Sequence, residues 1–427
     1  MEFDSANLIP VLPEIFLLAA ASVVLVVDLF VRDPRRVVTY ALTLLSLVGT
    51  LAVLGITGGN GAELHLFDGN VVRDPLADAL KASILVISLA VFVYGYDYLN
   101  LHKLMRGEFF TLGLFAVLGM MVMVSAVSFL TVYLGLELLA LCQYALVAFD
   151  RDSKKGAEAA MKYFVLGALA SGILLYGISM IYGATGAIDF PSIHAVLSEG
   201  RANSTVLVFG LVFVVIGVAF KFGAVPFHMW VPDIYHGAPT AVTLFIGSTP
   251  KIAAFGLAMR VLVDGLGHLQ EDWQGMLIIL AVLSMAIGNI VAIAQDNIKR
   301  MLAYSTISHV GFIFLGILAG SQEGYTAAMF YAVTYAAMAA GGFGVLILLN
   351  RDGFEAEELH HLKGLNERSP WFAGMMLLVM FSMAGVPPMV GFFAKLFVLD
   401  AVISAGMTWL AIVGVFFSII GAFYYIR

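Results

Sequence analysis

With a single cysteine, Cys142, in 427 residues, the chain cannot build a disulfide, an iron–sulfur cluster or a zinc site held by several thiolates. It has no haem-attachment motif and no P-loop. Its one glycine-rich run, Gly341-Gly342-Phe343-Gly344, lies in an apolar stretch, where close helix packing explains it better than phosphate binding. Charge is scarce as well: 12% of residues are Asp, Glu, Lys or Arg, about half the usual ~25%, and no polar segment is long enough to fold a soluble core. The acidic start, Met1-Glu2-Phe3-Asp4, lacks the basic region of a signal peptide. What fills the chain is apolar: 61% of residues, with a mean hydropathy of +0.97. Such a chain is an integral membrane protein, and its net charge of −7 matters less than where each charge falls.

At roughly 20 apolar residues per crossing, candidate spans lie near Leu12–Val31, Thr39–Thr57, Leu76–Tyr98, Phe109–Val127, Phe129–Phe149, Glu158–Thr185, Thr205–Trp230, Thr240–Val263, Met276–Ala294, Met301–Leu318, Tyr325–Leu349, Trp371–Val398 and Val402–Tyr425. The expected fold is therefore an all-α polytopic membrane protein of about thirteen helices. Loops after odd-numbered spans carry Arg32, Arg35, Arg36, Lys103, Arg106, Arg151, Lys154, Lys155, Lys299, Arg300, Arg351, Lys363 and Arg368, whereas even loops carry only Arg73 and Arg201. That asymmetry supports the count and places the N-terminus outside the cytoplasm. The end at Gly421-Ala-Phe-Tyr-Tyr-Ile-Arg427, without a polar tail, suggests a further span beyond it.

Two spans are interrupted alike, at Lys221-Phe-Gly-Ala-Val-Pro226-Phe-His228 in the seventh and at Met383-Ala-Gly-Val-Pro387-Pro388-Met-Val-Gly391 in the twelfth. Proline removes a backbone donor and glycine loosens the helix, so both spans should be discontinuous. The interruptions fall at matching places in two blocks of five helices, residues 108–263 and 264–427, behind an N-terminal three-helix segment, residues 1–107. An odd repeat length inverts orientation, and paired broken helices mark an inverted-repeat transporter. Two unrelated proline kinks are the plainer alternative.

Ionisable groups inside spans cost roughly 2.5–3.5 kcal/mol each on insertion scales and need a reason. Glu137 lies in the fifth span, Lys221 in the seventh, Lys251 in the eighth, His309 in the tenth and Lys395 in the twelfth. Lys162, beside Glu158 near the start of the sixth, is shallow enough to snorkel. Asp78, Lys81 and Arg260 read as interfacial, and Glu357, Glu358, His360 and His361 as a solvated amphipathic turn rather than a metal site. Burial favours the neutral forms of lysine and glutamate, so such groups can exchange protons near working pH. An opposite charge at ~4 Å is worth about 4 kcal/mol at an effective dielectric of 20, roughly a thousandfold in proton affinity. Moving Glu137 toward or away from Lys221 would then switch that lysine between holding and releasing its proton.

At these residues the chain resembles a known family. Phe220-Lys-Phe-Gly-Ala-Val-Pro-Phe-His-Met-Trp-Val-Pro-Asp-Ile-Tyr-His-Gly-Ala-Pro-Thr, then Lys251, then Asn297-Ile-Lys-Arg-Met-Leu-Ala-Tyr-Ser-Thr-Ile-Ser-His-Val-Gly, are similar to the antiporter-like subunits of respiratory complex I. Related subunits occur in sodium/proton antiporters and membrane-bound hydrogenases. Pro13-Glu14-Ile-Phe-Leu, the modest length and a lysine rather than a glutamate at Lys395 are similar to the N-type branch.

The resemblance implies a proton-translocating subunit of a bacterial NADH:quinone oxidoreductase in the inner membrane, a translocase subunit without its own redox centre, with fourteen spans in the family. It implies that NADH, FMN, iron–sulfur clusters and quinone belong to partner subunits. The partners would be neighbouring antiporter-like and small membrane subunits and the lipid bilayer, with no nucleic acid. By the same resemblance Glu137 and Lys221 would be the paired acid and lysine of the input side, Lys251 and His309 central relay groups, and Lys395 the output lysine. Lys162 and His228 match further family positions, with Pro226, Pro387 and Pro388 supporting the breaks. The alternative is a subunit of a sodium/proton antiporter or a hydrogenase, driven by ion gradients or other chemistry. A single-chain carrier for a small solute is a third possibility.

Overall fold

The computed structural model describes residues 8–58, 61, 63–200, 203–350 and 354–427. Met1 to Asp4, Arg201 and Arg351, read above for charge placement, lie outside the described residues. The chain is a bundle of helices with one short hairpin. The first three spans are α1 (Leu12–Asp28), α2 (Val37–Thr57) and α3 (Pro75–Leu101), with β1 (Leu64–Leu66) pairing antiparallel to β2 (Val71–Arg73) between the last two. There follow α4 (Gly107–Val124), α5 (Phe129–Val147), α6 (Lys154–Thr185), a surface helix α7 (Phe190–Ser198), α8 (Ser204–Phe222) and α9 (Trp230–Gly237). Next come α10 (Thr240–Gly247) and α11 (Thr249–Ala258), the latter running into a π-helical turn at Met259–Gly265. The remainder is α12 (Gln270–Ile293), α13 (Ile298–Leu318), α14 (Gln322–Leu349), the single turn α15 (Leu365–Arg368), α16 (Pro370–Ala384), α17 (Val390–Ser404) and α18 (Thr408–Ile426).

Among the described residues, 11 helical segments are long and apolar enough to cross a membrane. The two other expected spans are α1, of 17 residues, and the divided pair α16 and α17. Every span expected from hydropathy is thus occupied by helix. Helix starts follow local chemistry: the side chains of Asp74, Ser128, Ser153, Asn203, Asn297 and Ser321 each accept the N–H three residues on, satisfying a donor that the helix leaves open.

Both expected breaks are present and share one geometry. α8 ends at Gly223 (φ 79°) and α16 at Gly385 (φ 86°), left-handed positions that glycine adopts without a Cβ penalty. At each, the glycine N–H and the next N–H turn back onto carbonyls of the last helical turn, Ala219 and Phe220 in one case and Phe381 and Ser382 in the other. Prolines then prevent the helix from resuming at once. A third interruption was not anticipated: the eighth span is divided at Ser248 (φ −111°, ψ −90°), between α10 and α11, with Pro250 in the first turn beyond.

Small residues let the backbones approach. A Cβ on Gly119 would lie 2.8 Å from the Gly135 carbonyl oxygen, and the reverse distance is the same, so α4 and α5 touch backbone to backbone. The run Gly341–Gly344 sits inside α14 against Val379 and Tyr94, a packing role.

Of the charges expected at the interface, Lys81 and Arg260 are buried between helices and Asp78 is half-buried. Lys81 is 1% exposed and pairs with Glu14 at 2.5 Å. Arg260, 4% exposed, holds Asp74 (2.7 Å), Asp264 (2.9 Å) and the Val124 carbonyl (2.9 Å), tying the start of α3 and the end of α4 to the π-helical turn. Arg73 binds Asp78, Thr57 and two carbonyls. Hydropathy placed these residues near span ends correctly, but it cannot see that neighbouring helices cover them. The Glu357–His361 segment, expected as a solvated turn, runs into a short 3-10 turn, Leu359–Leu362, and is stitched to the start of α13 by a bridge between Asn297 and Glu358.

Replacing Gly135 by alanine should force α4 and α5 apart, a cost of about 1–3 kcal/mol. Detergent-extracted Gly135→Ala protein should lose structure several degrees earlier in a thermal melt, whereas Gly172→Ala, where a Cβ meets open space, should melt as the native chain does.

Candidate functional site

The breaks free backbone carbonyls, and lysines occupy them. Lys251, in the first turn of α11 and 1% exposed, donates from Nζ to the Phe222 carbonyl at 2.8 Å, the residue just before the left-handed Gly223. Lys395 in α17, 8% exposed, donates to the Ala384 carbonyl at 2.9 Å, just before Gly385, and to Ser418 Oγ at 2.9 Å. Each ammonium also lies over an aromatic face, Trp230 for Lys251 and Phe312 for Lys395, both at 5.2 Å from the ring centre. The chemistry of the partner matters. A carbonyl accepts a hydrogen bond from an ammonium or from a neutral amine, so these lysines can lose a proton without stranding an acceptor. Lys81, by contrast, rests on the Glu14 carboxylate.

Glu137 and Lys221 are partly buried and near enough for their charges to act on each other. Glu137 accepts a hydrogen bond from Ser171 on α6. Lys221, in the last turn of α8, lines a narrow pocket with Ser171, Tyr144, Tyr163 and Trp230, of about 20 Å³, room for about one water. Lys221 in turn acts on Lys251. His228, just beyond Pro226, is half-buried beside the Pro226 backbone carbonyl at the break.

In the second half His309 is 3% exposed, with Nδ1 2.7 Å from the Tyr331 hydroxyl and Nε2 3.0 Å from the Tyr425 hydroxyl. Tyr425 continues to Ser305, and the Tyr335 ring lies tilted against the imidazole, 4.9 Å between ring centres. The imidazole and Lys395 are in electrostatic reach. The structure thus brings Glu137, Lys221 and Lys251 into one group and His309 and Lys395 into another.

Lys162 stands apart. Its side chain is 44% exposed and pairs with Glu158 and Asp233, both at 2.8 Å, while Asp233 also holds Arg300 at 2.9 Å. Residues that sequence reading missed are Asp233, the tyrosines around His309 and the carbonyls of Phe222 and Ala384. The shared spacing Gly-x-x-Pro at Gly223–Pro226 and Gly385–Pro388 was a usable signal for the carbonyls; nothing in the sequence pointed to the tyrosines.

On the face where the Lys- and Arg-rich loops meet, Glu357 pairs with Lys155 (3.2 Å) and the buried Lys299 (3.1 Å), and Glu355 binds Tyr98. The loop is pinned further by Ile298 N–H to the Glu357 carbonyl (2.8 Å) and Leu359 N–H to the Asp296 carbonyl (2.9 Å). Burial alone would push the Glu357 carboxyl up, but Lys299, a hydrogen bond with Glu355 and Lys155 together hold it down at about 2.

Residues 126–421 match the family model described as NADH:quinone oxidoreductase/Mrp antiporter, transmembrane. A curated relative from Thioalkalivibrio sulfidiphilus, NADH-quinone oxidoreductase subunit N, is 59% identical over 428 aligned residues, covering 100% of this chain and 89% of the relative. The protein of the same name from Nitrosomonas europaea is 56% identical with the same coverage. Among solved structures, a chain of respiratory complex I from Thermus thermophilus superposes with a TM-score of 0.81 at 30% identity, over 97% of this chain and 88% of that one. A chain of an archaeal membrane-bound sulfane sulfur reductase gives 0.86 at 25% identity, over 98% and 86%.

Because the folded state holds the Glu357 carboxyl below its unfolded value of ~4.3, its contribution is complete above that value and is lost as pH falls toward about 2. Pepsin cleavage within residues 354–363, normalised to a peptide of the same sequence, should therefore rise as pH drops from about 4.3 to about 2. Glu357→Gln should raise amide exchange at Ile298 and Leu359 already at neutral pH.

Proposed function

The chain belongs to the NADH:quinone oxidoreductase/Mrp antiporter family of membrane subunits, and from that membership we propose that it works as the N-type proton-translocating subunit of a bacterial NADH:quinone oxidoreductase. It sits in the inner membrane with its N-terminus on the periplasmic side, as its loop charges favour. Neighbouring membrane subunits are its partners, and NADH, FMN, iron–sulfur clusters and quinone are held by other subunits of the complex.

In this reading residues 108–263 and 264–427 are two inverted five-helix units behind the segment 1–107, each broken in its fourth helix. Glu137 and Lys221 form the input pair. With Glu137 close, Lys221 is stabilised as an ammonium; when Glu137 withdraws, the lysine loses about 4 kcal/mol of support at ~4 Å and an effective dielectric of 20, and its proton moves on toward Lys251. Lys251 and Lys395 shed and regain protons while remaining bonded to the Phe222 and Ala384 carbonyls. His309, held between two tyrosine hydroxyls, passes a proton to Lys395, the output group. Lys162 sits on the rim with Asp233 and Arg300, where its ion pairs with Glu158 and Asp233 keep positive charge beside the entry side. His228 and the prolines at 226, 387 and 388 keep the breaks open. The observation that carries this reading is that buried lysines rest on carbonyls at the helix breaks instead of on carboxylates.

Lys221→Ala in the intact complex should leave assembly on a native gel unchanged and lower proton pumping per NADH oxidised severalfold, read by quenching of a pH-sensitive dye in membrane vesicles. Normal pumping in an assembled variant would remove Lys221 from the relay. If the chain migrates in a complex without NADH-oxidising activity, the gradient-driven antiporter reading replaces this one.

A further inference from the structure

Helices in lipid gain nothing by hiding apolar side chains against one another, so polar contacts and close backbone approach decide where each one sits. This bears hardest on α18, whose outward face is apolar and exposed at Ile412, Phe416, Ile419 and Phe423. Its inward face carries Ser418, Gly421 and Tyr425, spaced by three and four residues and therefore on one side of the helix. Ser418 accepts from Lys395 at 2.9 Å, and the Tyr425 hydroxyl meets His309 Nε2 at 3.0 Å. Lysine and imidazole both change charge as a relay turns over, so neither contact has a constant strength.

A third contact of α18 does not vary in this way. Asn289 in α12, 2% exposed, accepts from the Tyr424 hydroxyl at 3.0 Å through Oδ1 and donates from Nδ2 to the Met285 carbonyl at 2.8 Å. An amide has no charge to lose, and a phenol with an unperturbed pKa of ~10 keeps its proton near neutral pH. Gly421 makes room for the contact, since a Cβ there would lie 2.5 Å from Asn289 Oδ1. The platform beneath is fixed as well. A Cβ on Gly288, beside Asn289, would lie 2.6 Å from the Ser308 nitrogen, and one on Gly311 would lie 2.8 Å from the Ala281 carbonyl oxygen. So α12 and α13, the helix of His309, touch backbone to backbone. Arg427 also donates to the Ile293 and Gln295 carbonyls, but its side chain is 34% exposed, where water competes for its donors.

We propose that Asn289 is a positioning residue for the relay: by holding the Tyr424 hydroxyl it anchors α18 on the α12–α13 pair and keeps the Tyr425 hydroxyl on His309. This rests on the proton-relay reading given above. Tyr425 follows Tyr424 directly, so fixing one fixes the other. A hydrogen bond of this length is lost by a shift of about 1 Å, and without the anchor nothing of constant strength inside the bilayer opposes such a shift. His309 would then lose one of the two hydroxyls that hold its ring.

Tyr424→Phe removes only the anchoring hydroxyl, and Asn289→Ala removes its acceptor. An asparagine that merely glues two helices together predicts less assembled complex, each copy pumping normally. Proton pumping per NADH oxidised in membrane vesicles is a ratio that the amount of complex does not move. The expected result is a severalfold fall of that ratio in both variants and in Tyr425→Phe, with Tyr424→Phe combined with Tyr425→Phe no lower than Tyr425→Phe alone, because both act at one contact. An unchanged ratio in assembled Tyr424→Phe, whatever its thermal stability, would overturn the anchor. So would a double variant whose losses multiply, since Tyr424 would then act elsewhere than at Tyr425. If Asn289→Ala fails to assemble, Tyr424→Phe carries the decision by the same criteria. Lys221→Ala run in parallel separates the two readings: normal pumping there removes the relay itself, whereas loss there with normal pumping in Tyr424→Phe or Tyr425→Phe removes only the anchor.

Discussion

The structure turns on a lysine amine resting on a backbone carbonyl that a helix break has released. In lipid, a carbonyl without an intrahelical partner costs several kcal/mol, and so does an ammonium without an acceptor. Placed together, at Phe222 with Lys251 and at Ala384 with Lys395, each removes the other's penalty. Because the acceptor is neutral, the amine keeps its bond whether or not it carries a proton. A carboxylate in the same place would favour the charged form of the amine; Lys81 is the buried lysine that rests on one, Glu14.

The remainder of the fold keeps those breaks where they are. Gly223 and Gly385 terminate helices in a conformation that side chains resist, and the prolines stop the helices from closing the gap. Backbone contact between α4 and α5 at Gly119 and Gly135 fixes the helix that carries Glu137. Arg260 ties α3 and α4 to the π-helical turn that follows α11, so the helix bearing Lys251 is anchored beyond the lysine as well as at it. On the opposite face Glu357 gathers Lys155 and Lys299, joining the start of α6 to the start of α13.

Legibility followed the range of each interaction. Spans could be read because the cost of apolar surface in water is summed residue by residue, and both main breaks could be read because proline and glycine act on their own backbone. Buried charges stood out against a lipid background. The third interruption at Ser248 carries a weaker signal, one proline two residues on, which a hydropathy reading does not separate from an ordinary first-turn proline. Lys81 and Arg260 read as interfacial in sequence because their depth along the helix is visible there, whereas the helices that cover them come from far away in the chain.

The sequence by itself determined that the chain spans a membrane, where it crosses, where it breaks and which charges must be accounted for, since each of these is a local free-energy cost. Only the tertiary structure decided what each charge rests on. Whether a buried lysine meets a carbonyl or a carboxylate, and whether His309 sits between Tyr331 and Tyr425, depends on helices tens to more than a hundred residues apart being packed side by side. That choice separates a lysine able to hand on a proton from one that is only part of the scaffold.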